Sequence, residues 1–400
     1  MSLLKRKKFL VLATVSGLLG TLIAGVEKTP ETDTSNSIIQ YNSKQAAKID
    51  LVFVLDTTGS MSGLIRGAKE KIWSIVNTMS QAKPTPEIRV GLIGYRDRSD
   101  AYITDLNQLT SDIDSIYTKL MSYRAVGGGD RPESVNQGIN EAIEKMSWDK
   151  DKKTYRVVFL VGDSPPHMDY RDDVKYNDTC KIAQKKDIVI NTVLCGGHND
   201  TRKIWQEIAE NANGSFFEVE QSGGAVIIAT PYDKKIADLS SKLDKTRIPY
   251  GDVEKRHKYV AKQANVNSKL KSASFAAKAQ RMEFNTSKAG EKNFGGDCDL
   301  LIQISSNKVT VDKIDAKKLP EKFKNMSSAQ IKKYVQEQQK KRQEITKEIR
   351  NLSARRQQYI QQEAKKRGKF DKSFEKNIFD SVTPQMRKKS IFLDKKDLKL

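Results

Sequence analysis

The sequence contains little cysteine, histidine or proline. Its 400 residues include three cysteines, three histidines and ten prolines. Three cysteines are too few for a disulfide-framework protein or a cysteine-rich zinc module. The histidines His167, His198 and His257 are scattered, so no His-x₃₋₅-His spacing supplies the ligands of a zinc enzyme. The chain also lacks the Gly-x₄-Gly-Lys-Ser/Thr and Gly-x-Ser-x-Gly motifs. These absences favour a protein that is not an enzyme.

Positive charge is abundant, but only in one half of the chain. The formal net charge is +21, and residues 231–400 hold 42 basic and 21 acidic side chains, whereas residues 47–230 hold 23 and 26. A basic region attracts polyanions. Its aromatic residues are spaced like core residues rather than as a platform for stacked bases, which disfavours nucleic acid. Two interpretations stay open: this half binds an anionic envelope surface or acidic protein, or it is simply a solvated, lysine-rich helical surface.

Residues 1–26 have the pattern of an export signal. Basic residues at positions 5–8 precede an uncharged run from Phe9 to Gly25, which ends in small residues. That run is also close to the minimum length of a membrane-spanning helix, so an uncleaved anchor is an alternative. A cytosolic protein with an apolar first helix is another. Residues 27–46 are polar and predict a linker. We expect a bacterial protein that is periplasmic, membrane-anchored or secreted.

Residues 47–245 alternate between short apolar strands and amphipathic helices. The clearest strands are Asp50–Leu55, Ile88–Tyr95 and Arg156–Val161. Others are predicted at 101–104, 188–194 and 215–219, with helices at 61–81, 111–121, 134–146, 172–186, 201–211 and 233–245. This alternation predicts an α/β domain with a doubly wound, mostly parallel sheet covered on both faces. Such sheets bind ligands beyond the carboxyl ends of their strands, where the strand order reverses.

Residues 246–400 predict a basic, mainly helical region. Residues 252–292 are rich in Lys, Ala, Ser and Gln, and residues 328–366 carry apolar side chains at alternating four- and three-residue steps. These apolar side chains would form a seam along one side of a helix. Polar residues interrupt the seam at Gln338, Arg342 and Arg356, which favours a helical hairpin over a long coiled coil. Short strands are predicted at 300–304 and 308–311.

Carboxylates and hydroxyls follow the predicted strands. Asp56, Thr58 and Ser60 alternate along the turn after the first strand, so that all three side chains can face one point. Asp130 lies in the glycine-rich loop at 127–133, and Asp163 follows the fourth strand. Oxygen ligands of this kind suit a hard divalent cation such as Mg²⁺. The alternative is that these side chains only cap the helices that follow.

The same residues resemble a known family. The stretch at about 48–230 resembles a von Willebrand factor A domain, and Asp56-x-Thr58-x-Ser60 resembles its metal-ion-dependent adhesion site (MIDAS), usually Asp-x-Ser-x-Ser. Asp163 matches the family's third-loop aspartate. The second loop lacks the usual threonine, so Asp130 is the candidate there, either as a direct ligand or through water. The resemblance implies α/β fold, bound Mg²⁺, Mn²⁺ or Ca²⁺, and a protein ligand whose acidic side chain reaches the metal.

Two other functions stay open. In one, the basic half binds anionic envelope components and the metal is structural. In the other, the metal serves a hydrolase, although the sequence offers no base for it.

Three further residues carry predictions of their own. Cys180 near the start of a helix and Cys195 after the next strand fall at the same end of the sheet, which predicts a disulfide in an exported protein. Two unrelated buried thiols are the alternative. His167, four residues beyond Asp163, is expected to be a solvent-facing loop residue; the alternative is that it flanks the site.

Overall fold

The computed structural model describes residues 46–219, 228–271, 273–368, 373–395 and 398, without the side chains of residues 70 and 292. The predicted signal or anchor and the linker up to residue 45 lie outside this part. None of the described helices is both long and apolar enough to cross a membrane.

A six-stranded sheet forms the centre of the α/β part. Its order is β3-β2-β1-β4-β5-β6; β3 runs antiparallel to β2, and the other neighbours are parallel. The strands are β1 Ala47–Asp56, β2 Pro86–Tyr95, β3 Thr104–Thr110, β4 Tyr155–Gly162, β5 Ile188–Cys195 and β6 Phe216–Val219. The predicted doubly wound, mostly parallel sheet is confirmed. The third strand lies later than the predicted 101–104, because this polar edge strand has no apolar run to mark it.

Helices cover both faces of the sheet. They are α1 Ile65–Ser80, α2 Ile113–Ser122, α3 Val135–Lys145, α4 Tyr176–Lys185 and α5 Asn199–Asn211. Alternate residues of β1 enter different cores: Leu51 and Phe53 pack with α1 and α2, whereas Val52 and Val54 pack with α3 to α5. This two-sided burial explains why β1 is a continuous apolar run.

The strand order reverses between β1 and β4. The two strands are adjacent and parallel, yet β1 connects onward to β2 on one side and β4 to β5 on the other. Their carboxyl ends therefore frame a crevice at a topological switch point. Asp56 is the last residue of β1, and Asp163 directly follows β4. The fold thus brings the predicted metal ligands to one edge of the sheet.

Seven α-helices follow the sheet in the described part of the chain. They are α6 Asp233–Asp244, α7 Val253–Lys271, α8 Phe275–Asn285, α9 Glu291–Gly295, α10 Leu300–Ser305, α11 Ser328–Lys366 and α12 Phe374–Arg387. Helices α7, α8 and α12 share the hydrophobic core of α1 and α2. On α12, the buried Gln385 accepts a hydrogen bond from Tyr155 and donates one to Asn191, 3.0 Å away, in the central strands. The predicted boundary at residue 245 is therefore not marked by a gap in packing, and all described residues belong to one compact unit.

Buried ion pairs connect the two halves and explain the polar interruptions of the predicted seam. Arg281 on α8 donates two hydrogen bonds, of 2.8 and 2.6 Å, to Asp114 on α2. Within the helical half, Arg342 and Arg356 of α11 pair with Asp299 and Asp233. Several basic residues of the C-terminal half are thus structural rather than free to bind a polyanion.

Three secondary-structure predictions in the basic half are wrong. Residues 308–311 form a bend that leads into the 3-10 turn Val311–Lys313 rather than a strand. Residues 300–304 form the helix α10 rather than a strand, because Asp299 caps it by accepting a hydrogen bond from the backbone N–H of Ile302. Residues 328–366 form one 39-residue helix rather than a hairpin. This segment contains neither glycine nor proline to end a helix, and Ser327 and Gln330 form a capping box at its start.

The predicted disulfide between Cys180 and Cys195 is also wrong. Both thiols are free and buried. Cys180 packs with α3 to α5 on one face of the sheet, whereas Cys195 packs with α1 on the other. Their chain positions agree with the prediction, but the sheet itself separates their side chains.

Candidate metal centre

Asp56 lies at the centre of the site, at the buried carboxyl end of β1. The side chain is inaccessible to solvent. Its Oδ1 atom accepts hydrogen bonds from the backbone N–H of Thr58 (2.8 Å) and from the Thr58 hydroxyl (2.6 Å). Its Oδ2 atom is buried and accepts no hydrogen bond from any described residue. A buried carboxylate oxygen without a donor is costly, so this atom is a candidate for a cation ligand.

Ser60 links the first loop to the fourth strand. Its hydroxyl donates a hydrogen bond of 2.9 Å to Oδ1 of Asp163 and lies 3.1 Å from the Thr58 hydroxyl. Thr58 precedes the 3-10 turn Gly59–Gly63, and Leu64 precedes α1. Neither side chain accepts a hydrogen bond from the backbone of the helix that follows it. The capping interpretation therefore does not account for Thr58. Four of the five predicted ligands, Asp56, Thr58, Ser60 and Asp163, form one continuous cluster.

Asp130 does not join this cluster. Its side chain is 64% exposed, and its Oδ1 atom lies 3.6 Å from Nε2 of His167. The second-loop carboxylate that approaches Asp56 is Glu133, which the sequence analysis did not select. Glu133 is buried, and its Oε2 atom has no hydrogen-bond partner among the described residues. Glu133, whose carboxyl group is influenced by the charge of Asp56, is therefore the second-loop candidate beside this cluster, and metal binding by Asp130 stays a prediction.

The glycine-rich loop packs closely against the first loop. Gly127 and Gly128 have φ angles of +86° and +80°, which favour glycine. A Cβ atom on Gly127 would lie 2.0 Å from a carboxylate oxygen of Asp100. The carbonyl of Gly127 accepts a hydrogen bond of 2.9 Å from the N–H of Gly59. A Cβ atom on Gly128 would lie 3.0 Å from Oε1 of Glu133 and 3.3 Å from Cβ of Thr58, so this glycine lets both side chains approach the loop.

Two carboxyl groups of the site have raised pKa values. Burial and the charge of Asp163 raise the pKa of the Asp56 carboxyl group. Burial and the charges of Asp56 and Asp97 raise the pKa of Glu133 to about 9. Burial thus disfavours the ionisation of Asp56 and Glu133, and a divalent cation would compensate the charge of both carboxylates. With two hydroxyls added, the donor set consists of oxygen atoms and fits Mg²⁺, Mn²⁺ or Ca²⁺.

Solvent reaches the site from one side. Asp56 and Thr58 are fully buried, and Asp163 is buried, whereas Ser60 is exposed. A cation held here would be bound on one side by buried side chains at the end of the sheet and would be accessible to solvent on the side of Ser60. This geometry suits an ion that also contacts a ligand from outside the protein.

The histidine beside this site is not solvent-facing, so the prediction for His167 is wrong. Its side chain is 3% exposed, and its ring stacks on Tyr170 with 4.0 Å between centroids. Its backbone N–H donates a hydrogen bond to the carbonyl of Glu133. This bond connects the loop after β4 to the end of the glycine-rich loop. The short Pro-Pro-His stretch gave no periodic signal of burial.

Comparison with known proteins agrees with this architecture. Residues 50–231 match the family model described as von Willebrand factor A domain. This stretch has the von Willebrand factor A fold.

Individual relatives share only parts of their length with the chain. An ariadne-like RING finger protein of Acanthamoeba polyphaga mimivirus is 24% identical over 200 residues, which cover 46% of this chain and 19% of that protein. The von Willebrand factor A domain-containing protein 7 of Rattus norvegicus is 40% identical over 93 residues, covering 23% of this chain and 10% of that protein. The chain thus spans about a fifth or less of these relatives.

Among solved structures, the chain is similar to proximal thread matrix protein 1 from the mussel byssus, whose structure has a zinc-occupied MIDAS motif. The two are 16% identical with a TM-score of 0.35, and the matched region covers 45% of this chain and 43% of the mussel protein chain.

Proposed function

We propose that the sheet domain binds a protein ligand through a divalent cation held by Asp56, Thr58, Ser60, Glu133 and Asp163. The observation that carries this proposal is the pair of buried, unpartnered carboxylate oxygens on Asp56 and Glu133. Asp56 ends β1 at the switch point of a von Willebrand factor A fold, and its charge acts on Glu133. When bound, the cation would supply a positive centre for an acidic side chain of the ligand.

A role in binding rather than catalysis agrees with the contacts of Ser60. A nucleophilic serine needs a base that accepts its proton. The Ser60 hydroxyl donates to Asp163, but in this proposal the Asp163 carboxylate binds the cation and is not free to act as a base. Export is part of the proposal and is supported by the signal-like pattern of residues 1–26.

The electrostatic alternative has one observation in its favour. Helix α11 presents exposed lysines, including Lys333, Lys340, Lys341 and Lys347. A partner bound by these side chains would be released by salt, because salt screens exposed charges beyond about 10 Å at 0.1 M. A partner bound through the cation would be released by a chelator.

Selection of displayed random peptides on the immobilised protein separates these cases. In Mg²⁺, we expect enriched peptides to share an Asp or Glu and to lose binding when that residue becomes Asn or Gln. They should be released by EDTA and fail to bind the Asp56→Ala protein. Peptides that survive EDTA but elute in 0.5 M NaCl, or that bind both proteins equally, would contradict the proposal.

A further inference from the structure

A second group of candidate ligands lies beside the metal centre. Asp97 follows β2, Asp130 belongs to the glycine-rich loop, and His167 follows β4. One potential ligand atom from each lies within 4.8 Å of the others. Nε2 of His167 is 3.5 Å from Oδ1 of Asp97 and 3.6 Å from Oδ1 of Asp130.

The imidazole of His167 is oriented to offer a lone pair to this group. Its Nδ1 lies 2.8 Å from Oδ1 of Asp169. An ionised carboxylate only accepts hydrogen bonds, so Nδ1 carries a proton, and in the neutral imidazole Nε2 then offers its lone pair. The ring is 97% buried, and Nε2 has no hydrogen-bond partner in the described part of the chain. A carboxylate behind the distal nitrogen is the usual support of a metal-binding histidine.

The Asp97 side chain is also buried and held in position by hydrogen bonds. The residue is 4% exposed. Its carboxylate accepts hydrogen bonds from the hydroxyls of Ser134 (3.0 Å) and Tyr170 (2.9 Å). When the imidazole of His167 is neutral, Nε2 faces one oxygen of Asp97, which also accepts from Ser134 and Tyr170, and one oxygen of Asp130. A cation between the three side chains would bind the nitrogen lone pair and both carboxylates.

We propose that Asp97, Asp130 and His167 bind a second divalent ion, a transition metal such as Zn²⁺. In tetrahedral coordination with bonds of about 2.1 Å, ligand atoms lie about 3.4 Å apart, close to the two distances from Nε2. One imidazole and two carboxylates form a mixed nitrogen and oxygen set, which suits Zn²⁺ better than Mg²⁺. Three protein ligands leave a position open for water or for a group from a partner. Asp169 positions the histidine.

The second site is distinct from the Asp56 centre but linked to it. Glu133, which faces Asp56, precedes Ser134, which donates to Asp97. The carbonyl of Glu133 accepts the backbone N–H of His167 at 3.0 Å. The two ligand groups thus share one backbone segment while using different side chains, so substitutions can address each separately.

Calorimetric titration of Zn²⁺ into the full chain tests the proposal, with excess Mg²⁺ present throughout. The Asp56→Ala protein removes the first site. We expect it to retain one Zn²⁺ equivalent. Adding Asp130→Asn to it should weaken Zn²⁺ binding at least about 10-fold, because a ligand is lost. Asp130 is exposed, so this substitution leaves the core intact. Adding His167→Gln should abolish binding, whereas the exposed His198→Gln is the matched control and should change nothing.

Co²⁺ provides a spectroscopic readout of the same site. The Asp56→Ala protein should develop visible absorption bands on addition of Co²⁺, and these should disappear in the Asp130→Asn and His167→Gln backgrounds. Loss of all Zn²⁺ binding in Asp56→Ala alone would overturn the proposal, since the ion would then occupy only the first site. Equal Zn²⁺ binding with and without Asp130 would overturn it too. So would an absence of Zn²⁺ binding, which would indicate that His167 is simply protonated between the carboxylates.

Discussion

At the scale of single residues, two carboxyl groups define the chemistry of the first site. Asp56 and Glu133 are both buried and both have raised pKa values, and each has an oxygen with no donor among the described residues. Protein interiors rarely leave such groups unpaired unless a ligand completes them. Asp130, in contrast, is exposed and belongs to a different group of side chains.

Glu133 and Asp130 can be distinguished by their effect on Mg²⁺ binding. An ion that binds only the folded state raises the unfolding temperature. We expect Glu133→Gln to reduce Mg²⁺ affinity about 10-fold or more and so to diminish the Mg²⁺-dependent rise in unfolding temperature. Asp130→Asn should keep the full rise. The reverse pattern in thermal unfolding would restore Asp130 as the ligand of the first site.

The raised pKa of Glu133 also predicts how stability depends on pH. Its folded-state pKa is about 9 and its ordinary value is 4.5. The folded state therefore binds more protons between these values, so the stability of the metal-free protein should fall as pH rises from about 4.5 towards 9. With Mg²⁺ the trend should weaken or reverse, because the ion needs deprotonated ligands.

Urea unfolding in EDTA at several pH values measures this dependence. Glu133→Gln should flatten the decline, since glutamine does not titrate. A decline of the same size in that variant would show that other groups cause it.

Local sequence could predict only part of the site. Asp56, Thr58, Ser60 and Asp163 follow directly from the ends of recognisable strands, and parallel strands end at the same edge of the sheet. Glu133 and His167 depend on how two loops pack together. A glutamate before a helix and a histidine after two prolines look like surface residues until the backbone bonds between these loops bury them.

At the scale of elements, buried charges attach the basic half to the sheet domain. Arg281 of α8 and Asp114 of α2 are at most 1% exposed. Burial alone would raise the pKa of Asp114, but the charge and hydrogen bonds of Arg281 hold it below the ordinary value. Removing one member of a buried pair leaves an uncompensated charge.

Arg281→Met should therefore destabilise the whole protein by about 3–5 kcal/mol. Urea unfolding with Mg²⁺ present measures the effect. Lys258→Met is the matched control, because Lys258 pairs with Glu254 on the exposed surface of α7; it should cause no measurable change. A small effect of Arg281→Met would mean that α8 contributes little to the stability of the sheet domain.

The elements differ in how well sequence predicts them. Strands β1 and β4 are buried on both faces and appear as apolar runs, so they were predicted near their observed positions. Helix α11 was predicted as a hairpin because Arg342 and Arg356 interrupt its apolar seam. Their partners, Asp299 and Asp233, are far away in the sequence, and pairs of that kind have no local pattern.

At the scale of the whole molecule, the chain folds back so that its last helix completes the first domain. Val382 and Met386 of α12 are inaccessible to solvent within the core of α1 and α2. The positive net charge is therefore carried partly by elements that hold the sheet domain together. It is not confined to an independent tail.

Deletion of residues 369–400 should consequently damage the sheet domain. We expect the shortened protein to bind a hydrophobic dye and to lose cooperative unfolding, because the apolar surface under α12 becomes exposed. The milder variant Met386→Ala should cost about 2–5 kcal/mol. A shortened protein that unfolds cooperatively at the original temperature would show that α12 is dispensable.

The central claim, a divalent cation bound through Asp56, is tested most directly by titration calorimetry of Mg²⁺ into the full protein, with Asp56→Ala as the control. The account predicts one equivalent of Mg²⁺ bound by the wild type and none by the variant. Absence of binding to the wild type, or equal binding to both proteins, would contradict it.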